Sequence, residues 1–175
     1  MTFPTVVLAE YDRRWPDLFE AEKERILDAI GPRVLAIEHV GSTAVPEMTA
    51  KPIIDVMVGT RNVAATADAC TAPLQNIGYA YVPLPAILDR RFFRRGSWLL
   101  ECMYHLHMVE LGGETWRRYT LFRDVLRAYP DVARSYQELK QQLAVEYRFD
   151  RTAYTAAKNW FVEGVIARAE NEFKS

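Results

Sequence analysis

Cysteine and histidine are scarce in this chain of 175 residues, which holds 2 Cys and 3 His. Cys70 and Cys102 stand far apart and in no CxxC spacing, so neither a disulfide framework nor a zinc-finger pattern is present. Free thiols in a reducing cytosol are the expectation. Excess charge is missing too: Lys plus Arg is 22, Asp plus Glu is 23, and the net charge is −1. That excludes a broadly basic nucleic-acid coat and an acidic tail, but leaves room for a local basic site. A long apolar run is absent. The longest nearly uncharged stretch, 69–88, contains Pro73, Gln75, Asn76, Gly78, Pro83 and Pro85, which is wrong for a membrane span. The residues after Met1 carry no basic start and no apolar signal core, so a cytoplasmic protein is expected. No internal repeat is visible.

What is there is an ordinary globular mixture, 50% apolar and 26% charged. A chain of this length buries roughly 70% of its unfolded surface and needs no metal merely to fold.

Organisation changes near residue 112. Before it, short apolar runs alternate with helical patterns. Trp15, Leu18, Phe19, Glu22, Ile26, Ala29 and Ile30 share one helical stripe, interrupted only by the acid, and Gly31-Pro32 ends it. Strands are expected over 34–40, 52–59 and 79–82, with a weakly patterned helix over 62–77. Arg91–Arg95 and Trp98–Val109 read as two more strands around Gly96-Ser97. After residue 112 three helices are expected: one marked by Trp116, Tyr119, Phe122, Leu126 and Tyr129, and one opened by Pro130. The third is capped by Asp150 or Thr152 and carries Tyr154, Ala157, Phe161 and Val165. The fold class is α+β: a mixed sheet with flanking helices (1–112), and a three-helix C-terminal part (113–175) packed on it as one unit.

Three clusters could carry chemistry. Glu38-His39 closes a strand and Gly41-Ser42-Thr43 follows at once, a loop type whose backbone N–H groups can hold a phosphate. Asp55 interrupts an apolar strand, where an acid is costly unless paired or bound to metal, and Lys51 precedes it at the same end. The plain structural alternative is a turn plus an ion pair. His105 and His107 alternate on one strand face, about 6–7 Å apart along the backbone, a spacing that suits one metal ion or one anion. In the arginine cluster, Arg91 and Arg95 share one face around Phe93, and Arg90 and Arg94 share the other around Phe92. Either pair could bind phosphate, or guard a solvated edge strand. Tyr147, Arg148, Tyr154 and Lys158 could face the same cleft from the helical part.

The run from Ile37 to Pro46, then Lys51-Pro52-Ile53-Ile54-Asp55, resembles the GrpB family. His105-Leu106-His107, Phe122 to Arg127, and Tyr154 with Lys158 match the same family, so the resemblance covers about residues 10–170. GrpB proteins are similar to polymerase-beta-like nucleotidyltransferases, and some are fused to dephospho-CoA kinase. The resemblance implies that Gly41 and Ser42 hold nucleotide phosphates and that Asp55 is the first acid of a metal-binding D-x-D pair. The second position is Met57, and Glu47 stands where the family often carries glycine after Val-Pro. A thioether cannot replace a hard oxygen ligand for Mg²⁺. If the strand that supplies the third carboxylate in nucleotidyltransferases corresponds to the His105–His107 strand, then Asp55, His105 and His107 converge. Such a set favours Zn²⁺, Mn²⁺ or Fe²⁺ over Mg²⁺. His39 would be a further ligand or a general base.

The resulting expectation is a metal-dependent transferase acting on a nucleotide or other phosphate-bearing small molecule. Asp55, His39 and Lys51 are the catalytic candidates. Gly41, Ser42, Thr43, Arg91, Arg94 and Lys158 are the phosphate or nucleotide contacts. Two alternatives stay open: a ligand-binding module without transfer, for a nucleotide or CoA-type ligand, and a metal-assisted ligation or hydrolysis on the same scaffold. No membrane partner and no broad nucleic-acid surface are expected.

Overall fold

The computed structural model describes residues 5–84, 87, 89–96 and 103–172. Cys102 and the first part of the expected strand over 98–109 lie outside them. The N-terminal stripe forms α1 (Trp15–Ile30), with Pro16 in its first turn, where a missing N–H costs nothing. Its buried face is Trp15, Phe19, Glu22, Ile26 and Ile30, so the acid in the stripe is inside. Arg95 holds the Glu22 carboxylate through two donors, one at 3.1 Å, and Arg25 adds a contact at 3.3 Å. Removing one partner of such a pair leaves a buried charge, so the pair locks α1 onto the sheet.

The strands are β1 (Ala36–Val40), β2 (Ile53–Thr60), β3 (Ala80–Val82), β4 (Arg90–Arg95) and β5 (Met103–Glu110). Between β2 and β3 runs α2 (Val63–Asn76), capped by Asn62, whose side chain accepts from the Ala65 N–H at 3.0 Å. The sheet order is β1-β2-β5-β4-β3. The β2–β5 pair is parallel and the other pairs are antiparallel. β2 and β5 are central and apolar on both faces, except where Asp55, His105 and His107 interrupt them.

Register decides which residues meet. Val40, Asp55, His105 and Arg94 form one row across four strands. Glu38, Met57, His107 and Phe92 form the next row on the same face. The other face presents Ile54, Val56, Val58, Phe93, Leu106 and Met108, packed against α1 and α2. Each such side chain contributes about 1.5–3 kcal/mol when fully buried. Cys70 of α2 is a free thiol in this core.

The helical part comprises α3 (Glu114–Ala128), α4 (Pro130–Glu146), α5 (Arg151–Ala156) and α6 (Asn159–Glu172). This corrects the three-helix expectation. Asp150 caps α5 by accepting from the Thr152 and Ala153 N–H groups at 3.0 and 2.9 Å, but the helix stops after one and a half turns. A break at Ala157-Lys158 rephases the chain, so α6 buries Ile166 and Ala169 rather than Val165. No glycine or proline marks that break, and the periodicity across it reads as one helix.

The helices cover the Asp55 face of the sheet. Trp116 and Tyr119 pack on Val40, Met57 and Val109. Val45 and Met48 pack with Leu126 and Tyr136, and Val6 packs with Leu143 and Tyr154. Among the described residues no helix is long and apolar enough to cross a membrane.

Candidate metal and anion site

The site begins at Gly41, between β1 and β2. Its φ of +74° and ψ of −174° belong to a region that side chains do not tolerate. The backbone also passes so close to the strand acid that a Cβ here would lie 2.4 Å from Asp55 Oδ2. Glycine is therefore needed twice, for conformation and for contact. Ser42–Ala44 then make one tight turn, closed by Ala44 N–H to Gly41 O and Val45 N–H to Ser42 O, both at 3.2 Å.

Thr43 and His39 brace that turn from behind. The Thr43 hydroxyl donates to Ile53 O at 2.9 Å, so it accepts from His39 Nε2–H at 3.0 Å. His39 lies on the α1 face of the sheet, its ring stacked on Phe19 at 4.7 Å and 8°. Burial, reinforced by Arg127 and Arg123 and opposed by Asp55, lowers its pKa to about 4. It is a neutral imidazole facing away from Asp55, which corrects its place as a further ligand or base. Its contact is with the loop.

On the helix-covered face, Asp55 Oδ1 lies 3.4 Å from His105 Nδ1 and 3.3 Å from His107 Nε2. One donor atom from each of the three residues lies within 4.8 Å of the others. Burial alone would raise the Asp55 pKa. The hydrogen bonds and charge of both imidazoles outweigh it and hold the acid well below the usual carboxylate range. Burial keeps the His107 pKa down, against the pull of Asp55. Phe92 fixes both rings, edge-on to His105 at 5.0 Å and stacked on His107 at 5.1 Å. The donor set suits a borderline divalent ion. Two ligands of a tetrahedral centre with bonds of about 2.0–2.2 Å are roughly 3.3–3.6 Å apart, as Asp55 Oδ1 is from each imidazole. Met57, two residues after Asp55, is fully buried among Val40, Val109, Trp116 and Tyr119. No second hard ligand for Mg²⁺ is offered there.

A cavity of about 460 Å³ opens over this triad, lined on the sheet side by Gly41, Ser42, Thr43, Lys51 and Asp55, and on the helix side by Lys140 and Lys158. The Lys51 ammonium lies 5.2 Å and the Lys158 ammonium 4.3 Å from the centre of the Tyr154 ring. The Lys140 ammonium donates to Thr49 O and lies 5.1 Å from the centre of the Tyr136 ring. Burial, then the charges of Lys158 and Lys51, lower the Lys140 pKa to about 7. Burial and Lys51, opposed by Asp55, lower that of Lys158 to about 8. Lys51 is lowered by burial and by Arg151, against Asp55.

The arginine strand alternates as expected, but Arg90 lines the cavity in place of the expected Arg91 and Arg94. Arg90 and Phe92 line the cavity, with Arg90 donating to the Tyr119 hydroxyl at 2.8 Å. Arg91 lies on the opposite face with Arg95, which is committed to Glu22. Arg94 shares the face and row of His105, but is exposed and does not line the cavity. Tyr147 and Arg148 do not line it either. Lys140 and Tyr136 are the residues the sequence reading missed. The signal was present: Lys140 lies four residues after Tyr136 and three before Leu143, inside the buried stripe of α4.

Comparison with known proteins gives the class first. The structure of Cid1 in complex with its short product ApU aligns with a TM-score of 0.51 over 76% of this chain and 40% of that one. At 11% identity the likeness is one of fold alone: a mixed sheet with flanking helices, similar to a nucleotidyltransferase fold. The chain belongs to the GrpB family, whose model, described as GrpB protein, matches residues 5–168. The crystal structure of conserved protein GrpB from Enterococcus faecalis aligns with a TM-score of 0.86, at 29% identity, over 97% of this chain and 100% of that chain. The UPF0157 protein YqkA of Bacillus subtilis is 37% identical over 153 residues, 87% of this chain. The chain spans 44% of that relative's length.

Proposed function

We propose that this chain is a metal-dependent transferase of the cytoplasm that acts on a nucleotide or another phosphate-bearing small molecule. One observation carries the reading: Asp55, His105 and His107 converge beside the Gly41-Ser42 turn, at the floor of a cavity rich in lysine. Asp55, His105 and His107 would hold the ion, and Zn²⁺, Mn²⁺ or Fe²⁺ fits two imidazoles and one carboxylate better than Mg²⁺ does. Bound there, the ion would polarise a phosphoryl oxygen or acidify a water. The turn at Gly41 and Ser42 offers backbone N–H groups to a phosphate. Lys51 and Lys158 offset negative charge that grows on the transferred group. His39 holds Thr43, and through it the turn, in place.

A second reading has its own support. Met57 lies in an apolar cluster, so the D-x-D pair of the scaffold is incomplete. A module that binds a nucleotide or CoA-type ligand without transferring anything would need no second acid.

Elemental analysis and native mass spectrometry on gently purified protein separate the two. The transferase reading expects one transition metal per chain, lost in His105→Ala/His107→Ala and in Asp55→Asn, and metal-dependent turnover of a phosphate-bearing substrate. A chain that takes up neither Zn²⁺ nor Mn²⁺, yet gains melting temperature from a nucleotide, is a binding module. Metal-dependent release of phosphate to water, with no acceptor modified, would instead indicate hydrolysis.

A further inference from the structure

The cavity walls carry more positive charge than their carboxylates answer. Lys51, Arg90, Arg118, Lys140 and Lys158 face it, against Asp55 and Glu163. Arg118 is already paired with Glu163, and Asp55 is engaged by the two histidines. Among the described residues, none of the three lysines makes an ion pair with a carboxylate. Their ammonium groups lie against aromatic rings instead, two over Tyr154 and one over Tyr136. Lys140 is 2% exposed, with a backbone carbonyl as its hydrogen-bond acceptor. Holding three like charges around one small space, with Lys140 fully buried and Lys51 and Lys158 half-buried, is unfavourable for the empty protein, and each ammonium raises the cost of the others.

We propose that Lys51, Lys140 and Lys158 form a tripod for a compact polyanion, a substrate end with at least two ionised groups on neighbouring atoms, and that it works without a metal ion. This deepens the functional reading above and rests on it for the role of the cavity. A single phosphate answers one or two of the three charges and leaves the rest in mutual repulsion. A diphosphate or a polycarboxylate answers all three at once. Away from the lysines the wall mixes an apolar stretch, Phe92, Phe122, Val162 and Ile166, with the uncharged polar Thr155 and Asn159, which suits an uncharged or aromatic remainder of the molecule. The volume, about 460 Å³, suits an ordinary metabolite.

The test is titration calorimetry on the 175-residue chain, freed of metal with EDTA, at low ionic strength. The probes are inorganic pyrophosphate, citrate and orthophosphate. Pyrophosphate or citrate is expected to bind one to one, at least ten-fold tighter than orthophosphate. Lys140→Met and Lys158→Met are each expected to weaken that binding ten-fold or more. Pyrophosphate stronger than citrate assigns a phosphoanhydride substrate, and the reverse assigns a polycarboxylate; both support the tripod. Equal affinity for all three anions, or undiminished affinity in both variants, overturns it. Lys140 is buried, so the folding of its variant is checked by circular dichroism. Lys158→Met, half-buried in the break before α6, carries the test alone if the other does not fold. Asp55→Asn separates this inference from the metal reading: it is expected to lose metal and to bind pyrophosphate at least as tightly as the parent. Pyrophosphate binding in a chain that takes up no metal would support the tripod and sink only the metal.

Discussion

Gly41 and Asp55 are in direct contact: a Cβ on the glycine would come within 2.4 Å of Asp55 Oδ2. The turn at Gly41 and the strand acid are therefore packed as one unit. Gly41→Ala is expected to cost about 2–3 kcal/mol of stability, because φ is +74° and the new methyl displaces the carboxylate. Urea denaturation checks the first effect. Zinc titration checks the second, with affinity falling at least ten-fold. A variant with parental stability and metal uptake would mean that the close approach is not structural.

Restoring the missing acid is expected to fail. Met57→Asp would complete a D-x-D sequence, but the side chain points among Val40, Val109, Trp116 and Tyr119. The side chains of that cluster offer a carboxylate no cation, and burying it unpaired costs several kcal/mol. The expected result is a drop of about 3 kcal/mol or more in urea denaturation, with no gain in Mg²⁺ affinity. A stable variant that binds Mg²⁺ tightly would show that the pocket can open to accommodate the acid.

Much of this arrangement was legible in the sequence, for reasons that differ by residue. Strand alternation places His105 and His107 on one face, and the family resemblance aligns their strand with that of Asp55. The parallel β2–β5 register then opposes Asp55 to His105. His39 was misplaced because it also ends a strand beside the loop. In the antiparallel β1–β2 pair its neighbour Val40 stands opposite Asp55, which turns His39 to the α1 face. A one-residue shift on a strand reverses the face, and no local pattern sets that phase. Lys140 was passed over because a lysine in a helix is ordinarily solvated. Only tertiary packing reveals that α4 turns it inward.

Glu47 occupies a left-handed backbone, with φ of +62°, and is the one described non-glycine residue to do so. That is the physical meaning of the family's usual glycine at this place. A non-glycine residue there costs about 1–2 kcal/mol, and the greater freedom of glycine in the unfolded chain offsets about 0.5–1 kcal/mol. Glu47→Gly is therefore expected to raise stability by about 0.5–1 kcal/mol, read as a higher urea midpoint at unchanged slope. A lower midpoint would mean that the Glu47 side chain contributes more than the strain costs.

His39 makes stability depend on pH. Buried against Phe19, with Arg127 and Arg123 nearby, it has a folded pKa of about 4, below the ordinary 6.5. Between those values the unfolded chain holds more protons than the folded one, so acid favours unfolding and stability rises with pH. The contribution is fully present above about pH 6.5 and is lost as pH falls towards 4; it amounts to roughly 3 kcal/mol, about 2 of it between pH 7 and pH 5. His107, also held below its ordinary value by burial, acts in the same direction, so the parent's total slope is not a clean measure. His39→Gln isolates the share of His39, since an amide N–H can still donate to Thr43 while carrying no titratable proton. Urea denaturation at pH 7 and pH 5 is expected to show the parent losing about 2 kcal/mol more than the variant. Equal losses would mean that His39 takes up its proton in the folded state without penalty, and that the Thr43 brace survives an imidazolium.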